Sequence, residues 1–216
     1  MICIGESEIR MKKKNDLLKN VFFIMVANGI SLLGSLSCGF FLPKLMSLND
    51  YGHYKLFTLY LSYTGILHFG LPDGMLLNNA GIIYQDFDKE KMRGISSFYM
   101  ILEGIIGGVI ILGAFFVDAE IAPIVFFLGL CTFSINVIVY FQFVSQACMH
   151  FKEFSYVKVV TALLTFIAVS ILYAISKLGA KVKYESFLVC YTIINWGVLI
   201  FYLIKYKDFV CGKRKK

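Results

Sequence analysis

The sequence predicts an all-α membrane protein, a polytopic bundle of about six transmembrane helices with both termini in the cytoplasm. Three observations predict this fold class. The chain has 216 residues, of which 58% are hydrophobic, and its mean hydropathy of +0.74 is well above that of an ordinary soluble domain. Its apolar residues are gathered into six long runs. The connectors and tails around those runs carry the lysines and arginines.

The six runs have the length and composition of membrane-spanning helices. A helix crosses the hydrocarbon core with about 20 mostly apolar residues, in a range of about 17–25, and the first, third, fourth and sixth runs meet that length directly. The second and fifth are shorter and can use Tyr54, Pro72 or Tyr156 at the interface. Because lipid offers backbone groups no hydrogen-bond partner, each run is expected to be a helix. The runs are Val21–Phe41, Leu56–Leu71, Ile95–Val117, Ile121–Val144, Val159–Ser176 and Ser186–Ile204.

The distribution of positive charge predicts the orientation of the bundle. With the N-terminus in the cytoplasm, the inner connectors and tails carry every one of the 21 lysines and arginines except Lys44, Lys55, Lys177, Lys181 and Lys183. The positive-inside rule therefore favours cytoplasmic termini. The chain then divides into a basic N-terminal tail over residues 1–20, a six-helix lobe over residues 21–204 and a basic C-terminal tail over residues 205–216.

Composition also argues against several other classes of protein. The net charge of +7 would suit a nucleic-acid-binding domain, but the chain has too little polar sequence to build a folded basic surface. Its six cysteines and three histidines are scattered, without a C-x-x-C pair or the spacing of zinc ligands. No Walker motif is present. We therefore expect no catalytic site, no metal, no cofactor and no nucleic-acid partner.

The turns between the runs carry a family resemblance. Asp50-Tyr51-Gly52 leads into the second run, Phe69-Gly-Leu-Pro-Asp-Gly74 follows it, and Gln146-Ala-Cys-Met-His-Phe-Lys-Glu-Phe-Ser155 precedes the fifth. This pattern resembles the polysaccharide-biosynthesis membrane proteins, the O-antigen and teichoic-type flippases of the multidrug/oligosaccharidyl-lipid/polysaccharide exporter superfamily. Those proteins carry a YG turn between their first two helices and a GL motif after the second. The resemblance covers roughly Leu18–Ile204 and corresponds to an N-terminal lobe alone, whereas such flippases usually have two lobes.

The resemblance implies a flippase of the cell membrane. Such a protein moves a polyprenyl-pyrophosphate-linked oligosaccharide from the cytoplasmic to the outer leaflet by rocking two lobes around a midplane cavity. A longer gene product or a second copy of the chain would supply the second lobe. Two alternatives stay open: a multidrug or cation antiporter of the same superfamily, and a non-transporting component of the membrane.

Glu103 is the only charged residue deep within an apolar run. Helical spacing puts Ser96, Tyr99, Glu103 and Gly107 on one face, so the carboxyl is expected to face protein or a cavity. A carboxylate in hydrocarbon is costly and is by default a functional hypothesis. The functional interpretation is a protonatable or cation-binding group that couples transport to an ion gradient. The structural alternative is a hydrogen-bonded carboxyl that only packs.

Polar stripes on the predicted helices are candidates to line a hydrophilic cavity, although such stripes also serve helix packing. The candidate cavity-lining residues are Asn28, Ser31, Ser35, Tyr99, Asn136 and Tyr140.

Two further features carry alternative interpretations. Lys44 and Lys55 flank the first outer turn and are candidates to contact an anionic headgroup, or they extend to the membrane interface. Gly104 and Gly108 form a G-x-x-x-G spacing that predicts close helix packing.

Overall fold

The computed structural model describes residues 2–82 and 84–211, and within these ranges the protein is helical without strands. The all-α prediction is therefore confirmed. The connections include short 3₁₀ turns at Gly65–His68, Tyr84–Asp86 and Ala114–Phe116. The α-helices of the described residues are α1 (Ile2–Leu45), α2 (Leu48–Thr64), α3 (Leu71–Asn79), α4 (Lys89–Gly113), α5 (Ala122–Ala147), α6 (Phe151–Lys177), α7 (Tyr184–Lys205) and α8 (Lys207–Val210).

Five helical segments within the described residues are long and apolar enough to cross a membrane. They are Val21–Leu45, Lys89–Phe116, Ala122–Ala147, Phe151–Lys177 and Tyr184–Lys205. They correspond to the first, third, fourth, fifth and sixth predicted runs. Large apolar side chains cover their outward faces, as Phe22, Phe40 and Ile101 illustrate. Such a surface suits lipid, because soluble proteins rarely expose apolar patches of this extent.

The second predicted run, Leu56–Leu71, is not one continuous helix. Helix α2 ends at Thr64, and the 3₁₀ turn that follows leads to Phe69 and Gly70, with φ angles of 50° and 68°. Both lie in the left-handed region, which glycine adopts freely and phenylalanine rarely does. The chain becomes helical again at Leu71. We refer to residues 65–70 as the helix break.

Helices α2 and α3 lie one after the other along α5. The start of α2 packs beside the start of α7. At the end of α2, the Thr64 carbonyl accepts a hydrogen bond from Asn136 Nδ2 in the middle of α5, at 3.3 Å. Beyond α3, Gly81 N donates to the Ala147 carbonyl at the end of α5, at 3.0 Å. The interrupted segment therefore follows most of the length of α5.

Helix α5 is the centre of the bundle and contacts α2, α3, α4, α6 and α7. Helix α1 is peripheral and packs chiefly along α6. Gly34 faces Ala162, and nearer the other end the Phe41 and Tyr173 rings lie 6.0 Å apart. Residue numbers increase in the same direction along the two helices, from Gly34 to Phe41 and from Ala162 to Tyr173, so α1 and α6 are parallel.

The helices do not stop at the boundaries predicted for the two tails. Helix α1 extends from Ile2 through the predicted N-terminal tail into the first apolar run. At the other end, Tyr206 and Phe209 are buried in the core, and Lys89 Nζ lies 3.1 Å from Asp208 Oδ2. The described part of the C-terminal tail therefore packs against the bundle, because its aromatic side chains continue the apolar face of α7. Residues 212–216 of that tail lie outside the described residues.

Helices α4 and α5 make their closest approach at Gly107 and Gly129. A Cβ atom added to Gly129 would lie 2.6 Å from the Gly107 carbonyl oxygen, and one added to Gly107 would lie 2.9 Å from that of Gly129. Gly108 faces open space, and Gly104 meets only the Phe133 ring at 3.9 Å. The close contact predicted for Gly104 and Gly108 is therefore made by Gly107, because this residue shares the buried face of α4.

Replacing Gly107 or Gly129 with alanine should separate α4 from α5. Each new methyl group would overlap a backbone carbonyl, and overpacking of this kind costs about 1–3 kcal/mol. We expect lower thermal unfolding midpoints for Gly107→Ala and Gly129→Ala in detergent. Gly108→Ala is the matched control and should unfold like the wild type. Equal midpoints for Gly107→Ala and Gly108→Ala would contradict this packing.

Candidate functional site

Two polar regions lie on different faces of α5. One is a closed cluster between α4, α5 and the helix break, and it contains the buried carboxyl of Glu103. The other is an open cavity among α1, α2, α5, α6 and α7. The predicted site residues divide between these two regions.

The first region is built from the buried face of α4. Asp88 caps this helix by accepting hydrogen bonds from the backbone N–H groups of its first turn. Ser96, Tyr99 and Glu103 then face α5, and none is more than 1% exposed. The Ser96 and Tyr140 hydroxyls lie 2.9 Å apart, and the Tyr99 and Tyr140 rings stack with centroids 5.0 Å apart. The predicted face of α4 is therefore the one that packs.

Asn136 joins the buried carboxyl to the end of α2. Its Nδ2 donates to Glu103 Oε2 at 2.8 Å and to the Thr64 carbonyl at 3.3 Å. The Tyr99 hydroxyl donates to the Asn136 carbonyl at 3.3 Å. Glu103 Oε1 and Asn136 Oδ1 are both buried and have no hydrogen-bond partner. The Tyr99 hydroxyl also lies beside the Glu103 carboxyl, but its one proton is donated to the Asn136 carbonyl. Two buried acceptors without a donor are unusual, and each calls for a physical explanation.

The helix break places two further titratable side chains beside this cluster. His68 Nδ1 accepts a hydrogen bond from Gly70 N at 3.1 Å and lies 4.0 Å from Asp73 Oδ2. His68 lies four residues beyond Thr64, whose carbonyl shares the Asn136 amide with Glu103. The His68 side chain is 22% exposed and that of Asp73 is 55% exposed. Exposure therefore increases from Glu103 through His68 to Asp73.

The second region is a cavity of about 450 Å³. One wall is formed by α1 and α6, and the other by α2, α5 and α7. Most of its polar lining comes from hydroxyl and amide groups, so it can offer both donors and acceptors. The polar lining residues include Ser31, Ser35, Thr58, Gln142, Lys158, Thr161, Thr165 and Asn195.

Lys158 is the cation of this cavity. Its Nζ donates to Asn28 Oδ1 at 2.6 Å and lies 5.5 Å from the centre of the Phe154 ring. The sequence suggests an inner connector here, because Lys158 directly precedes the fifth apolar run. Helix α6 instead begins at Phe151, about two helical turns earlier. The absence of Gly and Pro between Gln146 and Lys177 is the signal that could have placed Lys158 inside a helix.

The predicted cavity-lining residues fall into two groups. Ser31 and Ser35 line the cavity, and Asn28 adjoins it through its bond to Lys158. Tyr99, Asn136 and Tyr140 lie instead in the closed cluster with Glu103, on the other face of α5. They do not line the cavity because α4 packs over them.

The remaining candidates lie near the first turn. Lys44 is exposed, and Lys55 Nζ lies 5.3 Å from the Tyr51 ring and 5.7 Å from the Tyr54 ring. Headgroup contact at these lysines stays a prediction. Within the described ranges, no group of three histidine, cysteine or acidic side chains is placed to hold a metal ion.

An ionic cluster ties the α5–α6 turn to the end of α7. Glu153 Oε2 lies 3.0 Å from Lys205 Nζ, and Glu153 Oε1 accepts a hydrogen bond from the Tyr206 hydroxyl at 3.0 Å. Cys148 lies in the turn, and burial together with the Glu153 charge raises the pKa of its thiol to about 11. This thiol is therefore protonated and unreactive at neutral pH.

Comparison of the chain with family models, with curated proteins and with solved structures gives no match.

Replacing Asn136 with alanine should destabilise the bundle. The change removes the donor that serves both Glu103 Oε2 and the Thr64 carbonyl, and a buried group left without its partner costs about 1–3 kcal/mol. We expect a clearly lower thermal midpoint for Asn136→Ala. The control is Asn195→Ala, because the Asn195 side chain bonds to Tyr191 of its own helix and does not join two helices. An equal loss in the two variants would contradict the linking role of Asn136.

Proposed function

We propose that this protein is a flippase or exporter that carries a lipid-linked oligosaccharide across the cell membrane. The cavity that contains Lys158 is the observation that supports this proposal best. The resemblance of the turns to polysaccharide flippases agrees with it. No covalent chemistry is part of the proposed mechanism.

The chemistry of the cavity suits a sugar attached to a phosphate. Lys158 supplies a point charge for a phosphate oxygen, and the surrounding hydroxyls and amides can hydrogen-bond to sugar hydroxyls. The volume lies within the range of about 300–1,000 Å³ that small-molecule sites occupy. The prenyl chain would remain in the bilayer beside α1, whose outward face is apolar.

A cavity of this size holds the phosphate end and the first sugar, and a longer oligosaccharide needs more room. We therefore propose that a second lobe, or a second copy of the chain, forms the opposite wall of a larger pathway. This is the arrangement of transporters whose substrate lies between structural repeats.

We further infer that α2 and α3 together form a sixth membrane crossing. The segment follows α5 from the region of the α7 start to the end of α5, so the chain changes side between α1 and α4. Its break near the middle resembles the discontinuous helices of transporters. With this sixth crossing, the positive-inside rule puts both termini in the cytoplasm.

The composition of the cavity favours a phosphate-bearing substrate over a cationic drug. Lys158 is the only charged residue in the cavity lining that the structure describes, and no acidic side chain accompanies it. A cationic drug would meet like charge there, at a cost that rises as water is excluded. The antiporter alternative is therefore less well supported.

Lys158→Met should weaken binding of a polyprenyl pyrophosphate to the purified protein in lipid nanodiscs. Hydrogen bonds to charged groups contribute about 1.5–3 kcal/mol, which corresponds to a loss of affinity of about tenfold or more. The control is Lys152→Met on the same helix, because Lys152 is exposed and lies outside the cavity lining. Equal affinities for these two variants would count against the cavity as the substrate site.

Labelling of Cys211 tests the orientation. Cys211 is exposed near the C-terminus, whereas Cys148 is buried and protonated at neutral pH. A membrane-impermeant maleimide should label Cys211 in inverted vesicles and not in intact cells, in a Cys3→Ala background. Cys211→Ala in the same background should remove the labelling, because the neutral Cys148 thiol does not react. Labelling of Cys211 in intact cells would place the C-terminus outside.

A further inference from the structure

We propose that Glu103 is a proton-binding site of this protein and that His68, in the helix break, and Asp73, in the first turn of α3, form its path to solvent. The proton site follows from the burial of Glu103 and from its hydrogen bond to Asn136. Its role as the coupling site of transport rests on the proposed function.

The two unpartnered oxygens point to a proton. Glu103 and Asn136 already face each other through the bond between Nδ2 and Oε2, at 2.8 Å. The atoms that remain on the two groups are Glu103 Oε1 and Asn136 Oδ1, both buried and both without a partner. An ionised carboxylate offers only acceptors, whereas a protonated one offers one O–H donor. A proton on Oε1 lets the acid and the amide form a ring of two hydrogen bonds.

Among the described residues, no lysine or arginine lies beside Glu103 to balance an ionised carboxylate, and its one basic neighbour is His68. The titratable groups that act on Glu103 are Tyr99 on its own helix and His68 in the helix break, and Tyr140 on α5 and Asp73 on α3 act in turn on Tyr99. None is a lysine or an arginine. A buried carboxylate without a positive partner is expensive, and such a group takes up a proton instead.

The same neighbours supply a route between Glu103 and water. Asp73 is the exposed end, and its carboxylate lies 4.0 Å from His68 Nδ1. Because Nδ1 accepts the Gly70 N–H, the neutral His68 ring carries its proton on Nε2. A histidine side chain can relay a proton because each of its two ring nitrogens can bind or release one.

Loading of the site can be written as two proton transfers. A proton from solvent binds Nδ1 of His68 in place of the Gly70 N–H, and the Asp73 carboxylate, 4.0 Å from Nδ1, balances the imidazolium that forms. The imidazolium then gives up its Nε2 proton, and the Glu103 carboxylate takes it. The neutral ring then carries its proton on Nδ1, and exchange with water restores the form with the proton on Nε2, so the net change is one proton moved from solvent to Glu103.

The site adjoins a part of the fold that is able to change shape. The Asn136 amide that holds Glu103 also holds the Thr64 carbonyl, where α2 ends. Charge on the carboxylate strengthens its bond to Nδ2, because hydrogen bonds to ionised groups are roughly twice as strong as neutral ones. Protonation of Glu103 therefore alters the bonding at the helix break.

Infrared spectroscopy of the purified full chain tests the proton site. A protonated carboxylic acid has a carbonyl stretching band that a carboxylate lacks. At neutral pH the wild type should show such a band, and Glu103→Gln should lose it. Glu103→Asp keeps an acid at this position and should show a shifted band, which guards against a folding defect in the glutamine variant. The exposed Glu90→Gln is the control and should match the wild type. An unchanged band in Glu103→Gln would overturn the proposal.

The path is tested by the rate at which this band responds to a rapid change of pH. His68→Gln and Asp73→Asn should slow the response about tenfold or more, since a positioned acid or base typically accelerates proton transfer by at least that factor. His150→Gln is the matched control, because its ring is 45% exposed at the α5–α6 turn. A wild-type rate in both His68→Gln and Asp73→Asn would overturn the path. Neither measurement uses a lipid-linked ligand, so the outcome is independent of the Lys158 binding test.

Discussion

Lipid offers no hydrogen bonds to a polypeptide backbone, so an interrupted helix inside a membrane protein must find its partners within the protein. At the break between α2 and α3, such partners come from α5. Asn136 donates to the carbonyl of Thr64, where α2 ends, and the Ala147 carbonyl accepts the N–H of Gly81 beyond α3. The central position of α5 is therefore more than a packing preference, because this helix supplies the polar groups that the interrupted segment needs.

One face of α5 is tightly packed and the other borders a cavity, because the neighbouring helices lie at different distances from it. On one face, Gly107 and Gly129 bring the backbones of α4 and α5 into contact, and the space between them is closed. Polar groups on that face, including Glu103, must bond to one another. On the other face, α6 approaches α5 less closely than α4 does, and a cavity with polar groups in a largely apolar wall remains among α1, α5 and α6. A closed face suits a site for a proton, and an open face suits a site for a larger polar ligand.

Parts of the fold and of the site follow from the sequence for plain physical reasons. A long apolar run in a membrane has to be helical, and five of the six predicted runs correspond to long apolar helices of the structure. Ser96, Tyr99 and Glu103 recur at helical spacing, and they do share one buried face of α4. Charged residues within such runs are rare, which is why Glu103 stands out from the sequence alone.

Other parts could not be predicted because no local signal distinguishes them. The run from Leu56 to Leu71 is apolar throughout, and hydropathy does not record that Phe69 and Gly70 adopt left-handed backbone angles. Lys158 has the sequence context of a connector residue, because a lysine beside an apolar run is usually a boundary. Helix α6 begins at Phe151 and continues through Lys158, and for this reason the Lys158 side chain lines the cavity.

A bundle of apolar helices with one buried carboxyl can be derived from the order of residues alone. These properties depend on composition and on helical period, which any window of the chain displays. Which polar residues meet is set only when the helices pack: Asn136 with Glu103 and Thr64, and Lys158 with Asn28. Those pairings join residues far apart in the chain, and they depend on how closely each helix approaches α5, which the order of residues along one helix does not specify.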